Sequence, residues 1–202
     1  MSLLCLKRSL PLLGAVLFLI ATALAQLDVE LGQGQIDTEQ GLDVYEGCSL
    51  GCALGWQLRV SSELPASAGR SYDARQLEDK RFETCWAEGV EGQGLGEFME
   101  FRFSKDSDRG TVPFRGLLIK NGYTKSADLW AKNSRVKEFE LSLNGKSKGV
   151  IRLADTSESQ SVSFAPLSLG NGDVVRLTVR SVYPGSKYQD TCVSEILPLG
   201  AH

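Results

Sequence analysis

Four glutamates crowd one short stretch of this chain: Glu88, Glu91, Glu97 and Glu100. Glu88 and Glu97 flank the glycine-rich run Gly89-Val-Glu-Gly92-Gln-Gly94-Leu-Gly96. Two carboxylates, one protonated and one charged, are the minimum equipment of a glycoside hydrolase. Their separation decides whether they work as a pair, and spacing along a chain does not supply it. Solvated or hydrogen-bonded loop carboxylates are the commoner case. A nucleophile and base have less to work with. The one histidine is His202, the last residue, whereas a Ser–His–Asp or Cys–His site needs its imidazole buried and oriented. A strand at Phe98 follows the glycine run where a phosphate cradle needs a helix, no Lys-Ser/Thr closes it and its spacing is wrong for GxGxxG, so it reads as a tight loop. The chain is expected not to be an enzyme.

Other residues could bind without reacting. Asp79 and Thr84, with Glu195 far away in sequence, offer hard oxygen ligands of the kind calcium takes together with backbone carbonyls. Structural calcium is therefore the one cofactor expected. The same residues serve equally well if Asp79 caps a turn and Glu195 pairs with Arg75 or Arg81. Tyr123, Trp130, Tyr183 and Tyr188 fall in expected loops, with Asn121, Asn133 and Arg135 nearby. Flat aromatic faces match the C–H face of a sugar, and amide and guanidinium groups take its hydroxyls. Trp130 and Tyr183 read equally as partly core residues.

The elements that must position these groups begin after an export signal. Lys7 and Arg8 precede an apolar run from Leu10 to Leu24, and Ala23-Leu24-Ala25 is a small-x-small cleavage site. Residues 1–25 are expected to be a signal peptide, because the apolar run is too short to span a bilayer. No second apolar run of that length follows, so the mature chain is expected to have no transmembrane segment and to be secreted or periplasmic. Removing the first 25 of 202 residues leaves 177, enough for one domain with a sizeable core. Losing Lys7 and Arg8 takes the formal charge from −3 to −5. That balance argues against a nucleic-acid partner, which would require a basic patch.

Cys5 leaves with the signal, and Cys48, Cys52, Cys85 and Cys192 remain. An even number in an exported chain points to disulfides, with three possible connectivities. Their spacing is too wide for structural zinc.

Residues 26–47 are polar and acidic and read as a flexible leader, so the domain is assigned to 48–202. From there the pattern is mostly period two, in short β-rich runs bounded by Gly, Asn, Asp and Pro. Eight strands are expected, at residues 56–60, 98–103, 115–120, 136–143, 149–153, 160–164, 174–180 and 193–197. Asn144-Gly145 marks a hairpin turn. Asp73 to Glu78 has room for one helical turn. Many short strands at this spacing favour an all-β sandwich or jelly roll.

Six segments in order add a family to this reading: Ser71–Asp79, Thr84–Val90, Gly92–Glu97, Asn121–Tyr123, Asn133–Lys137, and Tyr183-Pro-Gly185 through to Ser194-Glu-Ile196. Between Gly51 and Ile196 the chain resembles the discoidin-like domain of bacterial NAD glycohydrolase translocation, related to the coagulation-factor type C domain. The resemblance implies a galactose-binding-like jelly-roll β-sandwich and a binding role directed at glycans. It does not imply NAD cleavage, which belongs to a separate domain. It also brings the Cys85 corner beside the Cys192 corner, so the expected bonds are Cys85–Cys192 and Cys48–Cys52. Two departures stand out. Lys80-Arg81 follow Asp79 where the family has small or acidic residues, and Cys85 precedes Trp86 where the family's cysteine often follows.

The expected function is an exported, non-catalytic binding module for carbohydrate or a cell-envelope surface, its contacts made by Asn121, Tyr123, Trp130, Asn133, Arg135, Tyr183 and Tyr188. The alternatives are a protein-interaction or structural module of the envelope and, less favoured, a glycoside hydrolase using loop carboxylates.

Overall fold

The computed structural model describes residues 30–33, 35–36, 50–104 and 110–200. The expected signal peptide at 1–25 and Cys48 lie outside them. Among the described residues eleven strands are present: β1 (Glu30–Gln33), β2 (Gln35–Ile36), β3 (Gly55–Val60), β4 (Trp86–Ala87), β5 (Phe98–Ser104), β6 (Val112–Asn121), β7 (Ser134–Leu143), β8 (Lys146–Arg152), β9 (Ser159–Leu169), β10 (Val174–Tyr183) and β11 (Thr191–Gly200). One short helix, α1, runs from Ala127 to Lys132. All eight strands expected from period-two runs are here.

They fold into two layers. One has the order β3-β5-β10-β7-β8, and the other β2-β9-β6-β11-β4. Two parallel residue pairs join them, Thr191 with Ser134 and Cys192 with Arg135. Alternation explains the packing. Met99, Phe101 and Phe103 of β5 point inward beside Val175, Leu177 and Val179 of β10, against Leu117 and Ile119 of β6 and Val193 and Ile196 of β11. Trp86 lies fully buried in this core, and its indole N–H donates to the Ser62 carbonyl at 2.9 Å. The result is an all-β jelly-roll sandwich.

Local chemistry sets the connections. Asn144 and Gly145 take φ of 51° and 75°, the left-handed pair that a two-residue hairpin needs. Asp73 caps a 3₁₀ turn at Ala74–Leu77 by accepting from the Arg75 N–H at 2.9 Å. Ser126 caps α1, and Asp128 pairs with Lys132 one turn on at 2.6 Å.

The leader departs from expectation. β1 pairs in parallel with β8, and β2 pairs antiparallel with β9. Residues 30–33 and 35–36 therefore belong to the sheets. Such edge strands form through backbone hydrogen bonds and carry no apolar alternation to signal them. Among the described residues no helix is long and apolar enough to cross a membrane.

Candidate functional site

At the end of the sandwich where β7 and β11 begin, loops enclose a cleft of about 260 Å³. Its apolar lining comes from Leu64, Ala87, Leu129 and Cys192, and its aromatic lining from Tyr72, Tyr123 and Tyr188. Tyr72 and Tyr123 meet edge to face at 6.4 Å between ring centroids, with an interplanar angle of 87°. The loop bearing Leu64 and Tyr72 is held on β4 by backbone hydrogen bonds, Leu64 N–H to Ala87 O at 2.8 Å and Ala87 N–H to Tyr72 O at 3.2 Å. That lacing fixes the aromatic wall to the frame.

The polar groups are few and available. Arg70 and Asp190 both line the cleft, and neither side chain has an ion-pair or hydrogen-bond partner among the described residues. Asn133 donates its amide to the Leu129 carbonyl at 2.8 Å, which leaves its Oδ1 as an acceptor for a ligand. Burial pushes the Tyr123 phenol above its ordinary value, so it stays a neutral hydroxyl donor. A cleft of this size and lining suits one ring-sized ligand with an apolar face and several hydroxyls.

A second cluster lies around Glu195, which is 4 % exposed. Its Oε2 is the one buried polar side-chain atom with no hydrogen-bond partner among the described residues. Burial raises its carboxyl from 4.5 to about 8, and the charges of Asp79 and Glu78 add to the rise. Asp79 accepts from the Arg81 N–H at 2.9 Å and from the Thr84 hydroxyl at 2.8 Å. Asp79 therefore does cap a turn. The alternative pairing of Glu195 with Arg75 fails, because Arg75 pairs with Asp73 at 2.6 Å. No group of three or more carboxylate, imidazole or thiol side chains converges among the described residues. A cation here would draw its remaining oxygens from Thr84 and backbone carbonyls. An unpartnered buried carboxylate oxygen beside a second carboxylate fits a hard divalent ion, which would remove the repulsion between them.

The family model for the NAD glycohydrolase translocation F5/8 type C domain matches residues 52–198. The chain belongs to this family. Among solved structures, the CBM32-1 and CBM32-2 domains from Clostridium perfringens ZmpB are similar with a TM-score of 0.55 and 11% identity, over 83% of this chain and 40% of that one. The C-terminal domain of a chitobiase from Bacteroides fragilis gives 0.46 and 16%, over 72% and 93%. The arabinofuranosyltransferase AftD from Mycobacteria gives 0.48 and 14%, over 71% and 10%. The chain thus spans less than half of the ZmpB structure, and at these identities the likeness is one of fold. No curated protein matches the chain.

Of the seven ligand contacts expected, three line the cleft of this F5/8 type C domain: Tyr123, Asn133 and Tyr188. The other four are engaged inside the protein. Asn121 is buried and exchanges two hydrogen bonds with the Val136 backbone. The Trp130 indole donates to the Asn121 carbonyl at 3.1 Å, and Arg135 lies over its ring at 4.2 Å. Arg135 is also held by both oxygens of Asp155, at 2.8 and 3.1 Å. The Tyr183 hydroxyl donates to the Leu153 carbonyl at 2.9 Å. Tyr72, Arg70 and Asp190 were not expected. Tyr72 carried a signal, an aromatic in a polar stretch before a capped turn, but it lay inside a motif read only for resemblance.

The loop carboxylates are engaged as well. Glu88 accepts from the Val90 and Thr191 N–H groups at 2.9 and 3.2 Å. Glu97 accepts from Ser61 and Ser62. Glu100 lies between Arg59 and Arg176.

The expected Cys85–Cys192 bond is not formed, and both residues are free buried thiols. The ladder pairs Cys192 with Ala87, which sets Cys85 diagonally across from it and not directly opposite. The two thiols pack in one small apolar cluster with no bond between their sulfurs. Trp86, next to Cys85 in sequence, faces the main core. Hydrogen bonding with Cys85, then burial, holds the Cys192 thiol well above its ordinary value. The expected Cys48–Cys52 bond involves Cys48, which lies outside the described residues.

Proposed function

We propose that this chain is an exported, non-catalytic module that binds one sugar residue of a glycan or cell-envelope polymer in the cleft between Tyr72, Tyr123 and Tyr188. The observation that carries the reading is the coincidence, in one cleft, of an aromatic wall with three polar groups free to meet a ligand: Arg70, Asp190 and Asn133. Tyr188, 40 % exposed, offers its ring face to the apolar side of a pyranose, and the polar groups take hydroxyls. The sheets hold both walls in place before binding, which limits the ordering cost of a small contact. Family membership supports a binding role, and the engagement of Glu88, Glu97 and Glu100 within the protein speaks against a hydrolase built from them.

A glycan array with the full mature chain tests this. Binding to a defined set of glycans, lost in Tyr188→Ala and in Asp190→Ala while the melting temperature holds, is the expected result. A flat array from folded protein that instead co-purifies with an envelope protein would replace this reading with the protein-interaction module.

We further infer a structural calcium ion at Glu195 and Asp79, supported by the unpartnered Oε2 of Glu195. Bound there, it would stabilise the turn at residues 79–84 against β11. It would take no part in chemistry.

A further inference from the structure

A larger groove, of about 550 Å³, crosses the outer face of the β3-β5-β10-β7-β8 layer at the opposite end from the cleft. No residue lines both. Its floor is an arginine array set by strand register. Arg59, Glu100, Arg176 and Ser142 stand side by side on four adjacent strands, and Arg102 stands one outward position further along β5. The Glu100 carboxylate is almost wholly buried and serves both neighbours, accepting from Arg59 Nε at 2.7 Å and from Arg176 Nε and Nη2 at 2.9 and 2.6 Å. Burial pushes Glu100 up, but the two guanidiniums outweigh that and hold it ionised. Phe98 supports the same pair, with Arg176 at 4.0 Å and Arg59 at 5.4 Å from its ring centroid.

The consequence is a fixed positive site on an otherwise acidic chain. One carboxylate anchors two guanidiniums, so one positive charge is left over at this row, and with Arg102 and Glu140 the whole groove sets three arginines against two carboxylates. The Arg59 side chain is 60% exposed and bonds Glu100 through Nε, leaving its two terminal nitrogens free for an oxyanion. Arg102 has no partner among the described residues. Guanidiniums locked in place beforehand are the preferred receptors for carboxylate, sulfate and phosphate groups, because little side-chain freedom is lost on binding. Ser142 and Ser147 extend the groove with hydroxyl groups suited to sugar hydroxyls.

We propose that this groove is a second binding site, for an acidic glycan whose repeating oxyanions meet Arg59, Arg102 and Arg176. The site does not depend on the cleft and stands or falls separately from it. Affinity electrophoresis of the mature chain in gels containing polygalacturonate, dextran sulfate or neutral dextran tests it. Retardation by a polyanion and not by neutral dextran is expected, falling steeply with salt. Which polyanion retards separates a carboxylate source from a sulfate one. Arg102→Glu removes no hydrogen bond or ion pair among the described residues, so the fold should hold while affinity drops on the order of tenfold. Arg59→Gln keeps Glu100 paired with Arg176 and should give a similar drop. The cleft variant Arg70→Ala should leave retardation unchanged. No retardation by either polyanion at low salt, loss of it in Arg70→Ala, or wild-type retardation of both Arg102→Glu and Arg59→Gln would overturn the proposal.

Discussion

Asn121 closes two hydrogen bonds with Val136, donating Nδ2 to its carbonyl at 2.7 Å and accepting its N–H on Oδ1 at 3.1 Å. The side chain thus acts as one more rung between the layers, where β6 ends and β7 begins. Asn121→Ala leaves two buried backbone groups without that partner and should cost about 2 kcal/mol. Urea unfolding would register this as a lower midpoint. A midpoint within error of wild type would mean that the amide is dispensable.

Glu195 predicts how stability follows pH. Its carboxyl titrates at about 8 in the folded chain against 4.5 for the ordinary group, so between those values the folded state holds a proton that the unfolded state has lost. Stability is therefore full below about pH 4.5 and declines as pH rises toward 8, by at most about 1.4 kcal/mol per pH unit. In chelator, Glu195→Gln should flatten that decline. Millimolar calcium should also flatten it in the wild type, because a bound cation lets the carboxylate ionise at no loss. Thermal melts from pH 5 to 8, with EDTA and with calcium, separate the two effects. A wild-type profile indifferent to calcium would remove the ion from the account of this corner.

Tyr183 and Tyr188 should behave oppositely although Tyr183 closes β10 and Tyr188 lies in the connection just after it. Tyr183→Phe removes the hydrogen bond to Leu153 and should lower stability by about 1 kcal/mol with glycan affinity unchanged. Tyr188→Ala should weaken the glycan and leave the unfolding midpoint alone. Calorimetric titration beside denaturant melts reads both. Equal losses of affinity would return Tyr183 to the binding surface.

Gly185 couples that connection to the cleft. A methyl group there would come within 2.3 Å of the Lys132 carbonyl and 2.5 Å of Asn133, distances that no side-chain motion relieves. Gly185→Ala should push the end of α1 aside, lowering stability by roughly 2 kcal/mol or more and moving the Asn133 amide away from any ligand. A crystal structure of the variant with the 132–133 backbone in place would contradict this.

Much of the fold was legible because strand periodicity is a local signal. β5, β7 and β10 each alternate core and surface residues, and Asn144-Gly145 names its turn. β4 is two residues long and too short for any period. α1 is six residues long, and its Ser126 cap and Asp128–Lys132 pair were present without an apolar stripe to draw notice. The candidate site was less legible, because membership of a loop does not say which way a ring points. Trp130 and Tyr123 look alike in sequence, yet one indole lies beneath Arg135 and the other ring walls the cleft. Arg70 and Asp190 gave no sign at all. Their importance is that nothing among the described residues pairs with their side chains, a property only three dimensions contain.

Among the described residues Thr191 and Cys192 make the sole ladder contact between the layers, against Ser134 and Arg135, so the layers meet like the covers of a book along a spine two residues tall. Asn133 sits at one cover of that spine and Asp190 at the other. A ligand lodged between them would clasp both covers at once, and an occupied cleft would hold the spine closed.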